Sequence, residues 1–232
     1  MKPQNEDLKI ADYRIRKLIG FLGLFLPFLL YFTEGELLAS ISHYYYKPLP
    51  SLIFIIILSA FGLFLLSYKG YTFDTNSEKI SDDVLTNIGG IAALVVVFIP
   101  TCCKGSLSAS VDIICRDENF PLLGHNNDFK NTIHLVAAGI FMFTMGWMSK
   151  YKFTRSTNDI NNKIYKICGN LVWLSITLII VLIIFEKLNI HIGFTDYYVF
   201  VFETTAIIPF GISWLVKGDV LNNVSNMFKK EN

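Results

Sequence analysis

Two ionisable residues, Glu203 and His134, lie inside long apolar runs of this chain. Ionisable groups in hydrocarbon are costly, and in membrane proteins they mark proton relays, ion pathways or ligand sites. At 1.5 Å per residue, Glu203 lies about 9 Å and His134 about 5 Å from the same end of the runs that contain them. We therefore expect the two side chains to share a proton or an ion pair in one polar cavity, or to form a buried structural hydrogen bond.

Hydroxyl and imidazole groups near this pair extend the candidate site. Thr204 follows Glu203, and Ser40, Ser42 and His43 lie in a polar stretch that we expect at the same membrane surface. Such groups bind lipid headgroups or small solutes through hydrogen bonds. The predicted ligand-binding residues are Glu203, His134, Ser40, Ser42 and Thr204.

The same residue types also permit catalysis. Glu203 and His134 are candidates for an acid and a base, and Ser42 is a candidate nucleophile beside them. No G-x-S-x-G motif is present to support a serine hydrolase. Catalysis is therefore an alternative to binding, with Glu203, His134 and Ser42 as its candidate residues.

Metal binding is a further alternative. All four histidines are expected on one side of the membrane, and His43, His134 and Glu203 are the candidates for ligands. The sequence has no H-x-x-x-H or H-E-x-x-H pattern. We assign no metal and leave the cofactor open.

The elements that must position these residues are transmembrane helices. The chain has 53% hydrophobic and 17% charged residues, against about 25% charged residues in soluble domains. Six apolar runs each approach the roughly 20 residues that a helix needs to cross a bilayer. We predict an all-α polytopic membrane protein, a bundle of six transmembrane helices, with runs at 18–32, 52–68, 84–100, 132–148, 167–185 and 197–216.

The distribution of basic residues predicts the orientation. With both termini inside, fifteen of the 20 Lys and Arg residues fall on the inner side, as the positive-inside rule requires. The prediction is therefore N-in and C-in, with a cytoplasmic segment at 1–17, the membrane domain at 18–218 and a cytoplasmic tail at 219–232. We expect the first run to be retained and not cleaved as a signal peptide.

Cysteines and small residues suggest particular contacts. Cys102 or Cys103 can pair with Cys115 in the outer loop if that side is oxidising, and the alternative is three reduced thiols. Small residues in the third and fourth runs predict close helix contacts there, among them Gly89, Gly90, Ala137, Ala138, Gly139 and Gly146.

Three functions remain open at this point. The first is binding of a lipid headgroup or small solute in an outward-facing polar cavity, for transport or sensing. The second is a membrane-embedded lipid hydrolase or transferase, and the third is a channel-forming oligomer, although the uninterrupted run ITLIIVLIIF favours a lipid-facing surface. The bilayer is the expected partner, with a homo-oligomer as an option. A net charge of +1 and the lack of a basic strip give no indication of nucleic-acid binding.

Three short motifs resemble an uncharacterised family of small six-span bacterial inner-membrane proteins. They are TEGELLASISHYYY after the first run, YKGY after the second and GISWLVKG at the end of the sixth. The topology is also similar to that of the DRAM-type six-span membrane proteins. The resemblance implies the fold and a location in the bacterial inner membrane, and it implies no activity.

Overall fold

Helices form all of the regular structure in the described residues. The computed structural model describes residues 6–70, 80–155, 158–190 and 195–219, and no strand occurs in these ranges. The α-helices are α1 (Glu6–Glu34), α2 (Pro48–Ser67), α3 (Asp82–Phe98), α4 (Ala109–Arg116), α5 (Asp128–Trp147), α6 (Asp159–Lys187) and α7 (Tyr198–Lys217). A 3-10 helix at Ile41–Tyr46 precedes α2, and a π-helix at Met148–Lys152 and a 3-10 turn at Phe153–Arg155 follow α5.

The prediction of an all-helical membrane protein is confirmed. Within the described residues, five stretches are long and apolar enough to cross a membrane, namely Tyr13–Glu34, Pro48–Ser67, Asp128–Arg155, Asp159–Lys187 and Tyr198–Lys217. The third predicted run lies in α3, which has only 17 residues. At 1.5 Å per residue α3 extends about 26 Å, a little less than the hydrocarbon thickness.

The long helices pack in a ring that follows the order of the chain. Each packs against the next, in the order α1, α2, α3, α5, α6 and α7, and α7 closes the ring by packing against α1. Phe61, Phe141 and Phe210 meet inside the ring, with ring centroids 5.6–6.4 Å apart. Aromatic side chains therefore fill the interior of the bundle at this level.

Glycines allow the close crossings in this ring. A Cβ on Gly90 would lie 2.8 Å from the carbonyl oxygen of Gly62, so α2 and α3 touch through their backbones. A Cβ on Gly169 would lie 2.7 Å from the oxygen of Gly146, where α6 meets α5. The predicted close contacts at Gly90 and Gly146 are thus confirmed. Gly139 differs, because a Cβ there would have no neighbour within 4 Å.

One end of the ring is covered by two connections, residues 35–47 and 99–127, which we call the cap. The two connections are joined by the hydrogen bond from the Ala39 amide to the Ser106 carbonyl, which is 2.9 Å long. The amide of Phe200 on α7 donates to the carbonyl of Ala39 over 2.9 Å. The cap is therefore attached to the bundle and does not project away from it.

A disulfide closes the second part of the cap. It joins Cys103 to Cys115, and Cys102 and Cys168 are free thiols. The sequence left Cys102 and Cys103 as alternatives, and the structure selects Cys103, whose neighbour Cys102 faces the cavity described below. The bridge connects the start of this segment to the last turn of α4.

Breaking this bridge is expected to loosen the cap. Replacing Cys103 with serine should cost about 3 kcal/mol of stability, the typical value for a disulfide that closes a short loop. Thermal unfolding in mild detergent measures the loss, and Cys102→Ser is the matched control at the neighbouring thiol. Equal melting temperatures for the two variants, or four titratable thiols in the denatured wild-type protein, would contradict the bridge.

Candidate functional site

The segment Ser40–Lys47 is buried at the capped end of the ring. All of its eight residues, SISHYYYK, are at most 8% exposed. Ser40 begins the 3-10 turn as its N-cap and accepts a hydrogen bond from the amide of His43, and Pro48 then starts α2. The second half of the cap covers Ser40, Ser42 and His43, so these three residues line the cleft from inside the protein.

Three consecutive tyrosines hold the cap together. The Tyr46 hydroxyl donates to the carbonyl of Thr101 over 2.6 Å and accepts from the amide of His125 over 3.1 Å. The Tyr45 hydroxyl accepts from the amide of Leu123, and that of Tyr44 donates to the carbonyl of Glu36. Burial raises the pKa of Tyr46 to about 12. The three hydroxyls thus satisfy backbone groups inside the cap.

Ser42 and His134 form the first of two serine–histidine pairs. The Ser42 Oγ lies 2.9 Å from Nε2 of His134, and Nδ1 of His134 lies 2.8 Å from the carbonyl oxygen of Ile99. A carbonyl can only accept, so the single proton of the neutral imidazole is on Nδ1, and Nε2 then accepts from the serine hydroxyl. His134 is 1% exposed. The sequence predicted these residues in one site, and the structure brings them into direct contact.

Ser40 and His43 form the second pair. The Ser40 Oγ lies 2.9 Å from Nδ1 of His43, and Nε2 of His43 lies 3.2 Å from the carbonyl oxygen of Lys104. Burial lowers the pKa of His43 to about 4, so this ring is neutral at physiological pH. Its two nitrogens therefore act as one donor and one acceptor.

Glu203 has a different partner from the one we expected. Its Oε2 accepts a hydrogen bond of 2.6 Å from the amide of Ile41, and within the described ranges no direct hydrogen bond joins it to His134. The carboxylate thus holds the Ser40–Lys47 segment against α7, beside the Phe200 amide that binds Ala39. Thr204 points elsewhere: its buried Oγ1 has no hydrogen-bond partner among the described residues, and it does not line the cavity.

A cleft of 1010 Å³ lies beside these residues, between α5, α6, α7 and the cap. Its polar wall at the cap contains Ser40, Ser42, His43, His134 and Glu203. Its apolar wall comes from α5 and α6, with Ala138, Met142, Ile176, Ile179, Ile180 and Ile183. The cleft is therefore polar at the capped end and apolar towards the middle of the bundle.

The cleft exists because α5 and α6 diverge towards the cap. They touch where Gly169 meets the carbonyl of Gly146, whereas nothing lies within 4 Å of a Cβ at Gly139, two turns nearer the cap. Ile180 on α6 is 52% exposed and also lines the cleft. The gap between α5 and α6 thus opens sideways, on the face that meets lipid if these helices cross a membrane.

Charged side chains lie at the outer rim of the cleft. Lys104 is on the cap side, and Glu186 and Asp196 are on the side of α6 and α7. The Tyr198 hydroxyl donates to Glu186 Oε2 over 2.9 Å, which ties the end of α6 to the start of α7. The rim therefore offers both signs of charge to a ligand.

The candidate metal ligands are occupied by hydrogen bonds. Both ring nitrogens of His43 and of His134 already bond to a serine and a carbonyl. Among the described residues there is no group of three or more His, Cys, Asp or Glu side chains placed to hold a metal ion. His191 lies outside the described residues.

Comparison with known proteins adds no relative. No family model matches the chain, and no curated protein or solved structure matches it. The resemblance to six-span bacterial inner-membrane proteins accordingly stays a prediction.

Proposed function

We propose that the protein is a six-span protein of the bacterial inner membrane that binds a lipid in this cleft, for transport or sensing. The headgroup lies against Ser40, Ser42, His43, His134 and Glu203, and the acyl chains lie along α6. Both termini are cytoplasmic, so the cap and the cleft belong to the outer leaflet.

The proposed topology rests on packing and charge. In the ring α3 lies between α2 and α5, both of which are long enough to span, and this position supports α3 as the sixth span. Among the described residues, most of the Lys and Arg residues fall on the side away from the cap. A disulfide in the cap agrees with an oxidising outer side.

The polarity of the cleft is the observation that carries the function. A ligand there meets hydroxyls, imidazoles and a carboxylate at one end and isoleucines at the other. Its side opening between α5 and α6 gives access from the bilayer, which a water-soluble solute does not need. An amphipathic lipid fits both properties, and a small polar solute leaves the apolar wall without a partner.

The channel alternative has less support. Phe61, Phe141 and Phe210 pack against one another inside the ring, so aromatic side chains occupy its centre at this level. A pore between subunits remains an alternative, and a defined oligomer in mild detergent would favour it.

Filling the apolar half of the cleft is expected to expel the lipid. Ala138 lies one helical turn from His134 on the same face of α5, so Ala138→Phe places a ring beside the proposed headgroup site. We expect about a tenfold loss of copurifying lipid, which corresponds to about 1.4 kcal/mol of binding free energy. Mass spectrometry of lipid extracted from the purified protein, per mole of protein, measures the loss.

The matched control is the same kind of change on a lipid-facing helix surface. Ile91 on α3 is 57% exposed and does not line the cleft. Ile91→Phe should retain lipid at the wild-type level. Equal retention by both variants, or a wild-type protein that carries no lipid, contradicts the proposed function.

A further inference from the structure

We propose that Ser42 is a nucleophile that attacks a carboxylic ester of the lipid in the cleft, with His134 as its general base. This inference rests on the proposed function, because the lipid bound there is the substrate. It adds an acyl-transfer activity to a site otherwise needed only for binding.

The hydrogen bonds of His134 give it the form that a general base needs. The Ile99 carbonyl holds the proton on Nδ1, so the lone pair of Nε2 points at the Ser42 hydroxyl, 2.9 Å away. In serine hydrolases a third group orients the imidazole in the same way. Here the backbone carbonyl of Ile99 orients the imidazole. Glu203 does not have this role, because its carboxylate binds the Ile41 amide.

Ser40, at the start of the same 3-10 turn, has a structural role that Ser42 lacks. The Ser40 Oγ accepts the His43 amide as an N-cap at 3.3 Å, in addition to its bond with the His43 ring. The Ser42 hydroxyl has His134 as its one hydrogen-bond partner in the part of the chain that the structure describes. Ser42 therefore has no capping role that would explain its hydroxyl, and it faces the cleft.

The position along the membrane normal also fits an ester. His134 lies six residues into α5, about 9 Å from the start of that helix. The headgroup layer is roughly 5–7 Å thick on each side of the hydrocarbon core. With the start of α5 placed at the outer edge of the headgroup layer, Ser42 and His134 lie near the boundary between headgroups and hydrocarbon, where the ester carbonyls of a glycerolipid lie.

The reaction balances with water as the co-reactant. The Ser42 Oγ forms a bond to the ester carbonyl carbon while its proton moves to Nε2 of His134. The carbon–oxygen bond to the lipid alcohol then breaks, and the alcohol leaves with the proton from Nε2. Water, deprotonated by His134, attacks the acyl-serine, which releases the fatty acid and restores Ser42.

A long-chain alkyl fluorophosphonate tests this directly on the full-length protein in lipid-containing detergent. The probe forms an oxygen–phosphorus bond with an activated serine and releases fluoride. We expect one adduct on the wild-type protein, located at Ser42 by tandem mass spectrometry of its peptides. Ser42→Ala should carry none, and His134→Gln should react about 100-fold more slowly, the usual contribution of a positioned base.

The control is Ser51→Ala, at a buried serine of α2 that donates to the Pro48 carbonyl and does not line the cleft. It should be labelled like wild type. Absence of an adduct on wild-type protein, or an adduct on another residue, overturns the inference even where lipid copurifies. Lipid content measured in the same samples separates this result from failure of the proposed function, which shows as wild-type protein without lipid.

Discussion

Replacement of Lys47 by methionine is expected to destabilise the fold by about 3 kcal/mol, the low end of the cost of removing one partner from a buried ion pair, because Glu34 and Glu36 are 20% and 41% exposed. Lys47 is 6% exposed, and its Nζ lies 2.6 Å from Glu34 Oε1, 2.8 Å from Glu36 Oε2 and 2.6 Å from Ser110 Oγ. One ammonium group thus joins the end of α1, the start of α2 and α4. The hydrogen bond from Lys47 holds the pKa of Glu36 below its usual range. Methionine keeps the volume of the lysine stem but leaves both carboxylates without their cation.

Thermal unfolding in mild detergent measures this cost. At roughly 2–4 °C per kcal/mol for a chain of this size, the melting temperature should fall by about 6–12 °C. Lys104→Met is the matched control, because Lys104 is 54% exposed and its Nζ is 3.4 Å from Asp128. An exposed pair of this kind contributes at most about 1 kcal/mol. Equal melting temperatures for the two variants would show that the Lys47 pairs do not support the cap.

The helices were predictable from the sequence because hydropathy is a local property. Each of the six predicted runs lies in a long helix, with ends that differ by a few residues, apart from α1 and α6. Helix α1 begins at Glu6, inside the segment predicted as cytoplasmic, and α6 begins at Asp159, eight residues before its predicted run. The first turns of these two helices are polar, so a hydropathy pattern does not detect them.

The burial of Ser40–Lys47 was not predictable in the same way. This segment is polar and aromatic, and its position depends on hydrogen bonds to residues about 60 to 160 positions away, such as Lys104 and Glu203. The group that orients His134 is the backbone carbonyl of Ile99, which the residue type does not reveal. The sequence placed Ser42, His134 and Glu203 in one region, but it could not pair them.

Helix α6 shows a second limit of prediction from the sequence. Its run ITLIIVLIIF is apolar all round, which favours a lipid-facing surface. Ile180 is exposed as predicted, yet it and Ile176 also form the wall of the cleft. Since lipid-facing and ligand-facing positions need the same side chains, composition cannot separate them.

Two glycine-to-alanine changes are expected to shift stability in opposite directions. A Cβ on Gly211 of α7 would lie 2.6 Å from the Leu24 amide nitrogen and 2.8 Å from the Gly20 carbonyl oxygen. Both atoms are backbone of α1, so the whole helix must move to make room. Gly211→Ala should therefore cost about 1–3 kcal/mol, as overpacking does elsewhere. Gly139→Ala should stabilise α5 by up to about 1 kcal/mol, because its Cβ meets nothing within 4 Å and alanine favours a helix.

The comparison isolates the contact that closes the ring, since the two variants have the same added atom, helical setting and amino-acid types. Thermal unfolding of both in one detergent gives the sign of each effect. If the α1–α7 crossing closes the ring, the melting temperature falls for Gly211→Ala and stays or rises for Gly139→Ala. A fall of equal size in both melting temperatures would mean that α5 and α6 pack together at Gly139. In that case there would be no lateral opening between them for lipid entry. A neutral Gly211→Ala would mean that α1 does not pack directly against α7, and the ring would be open on that side.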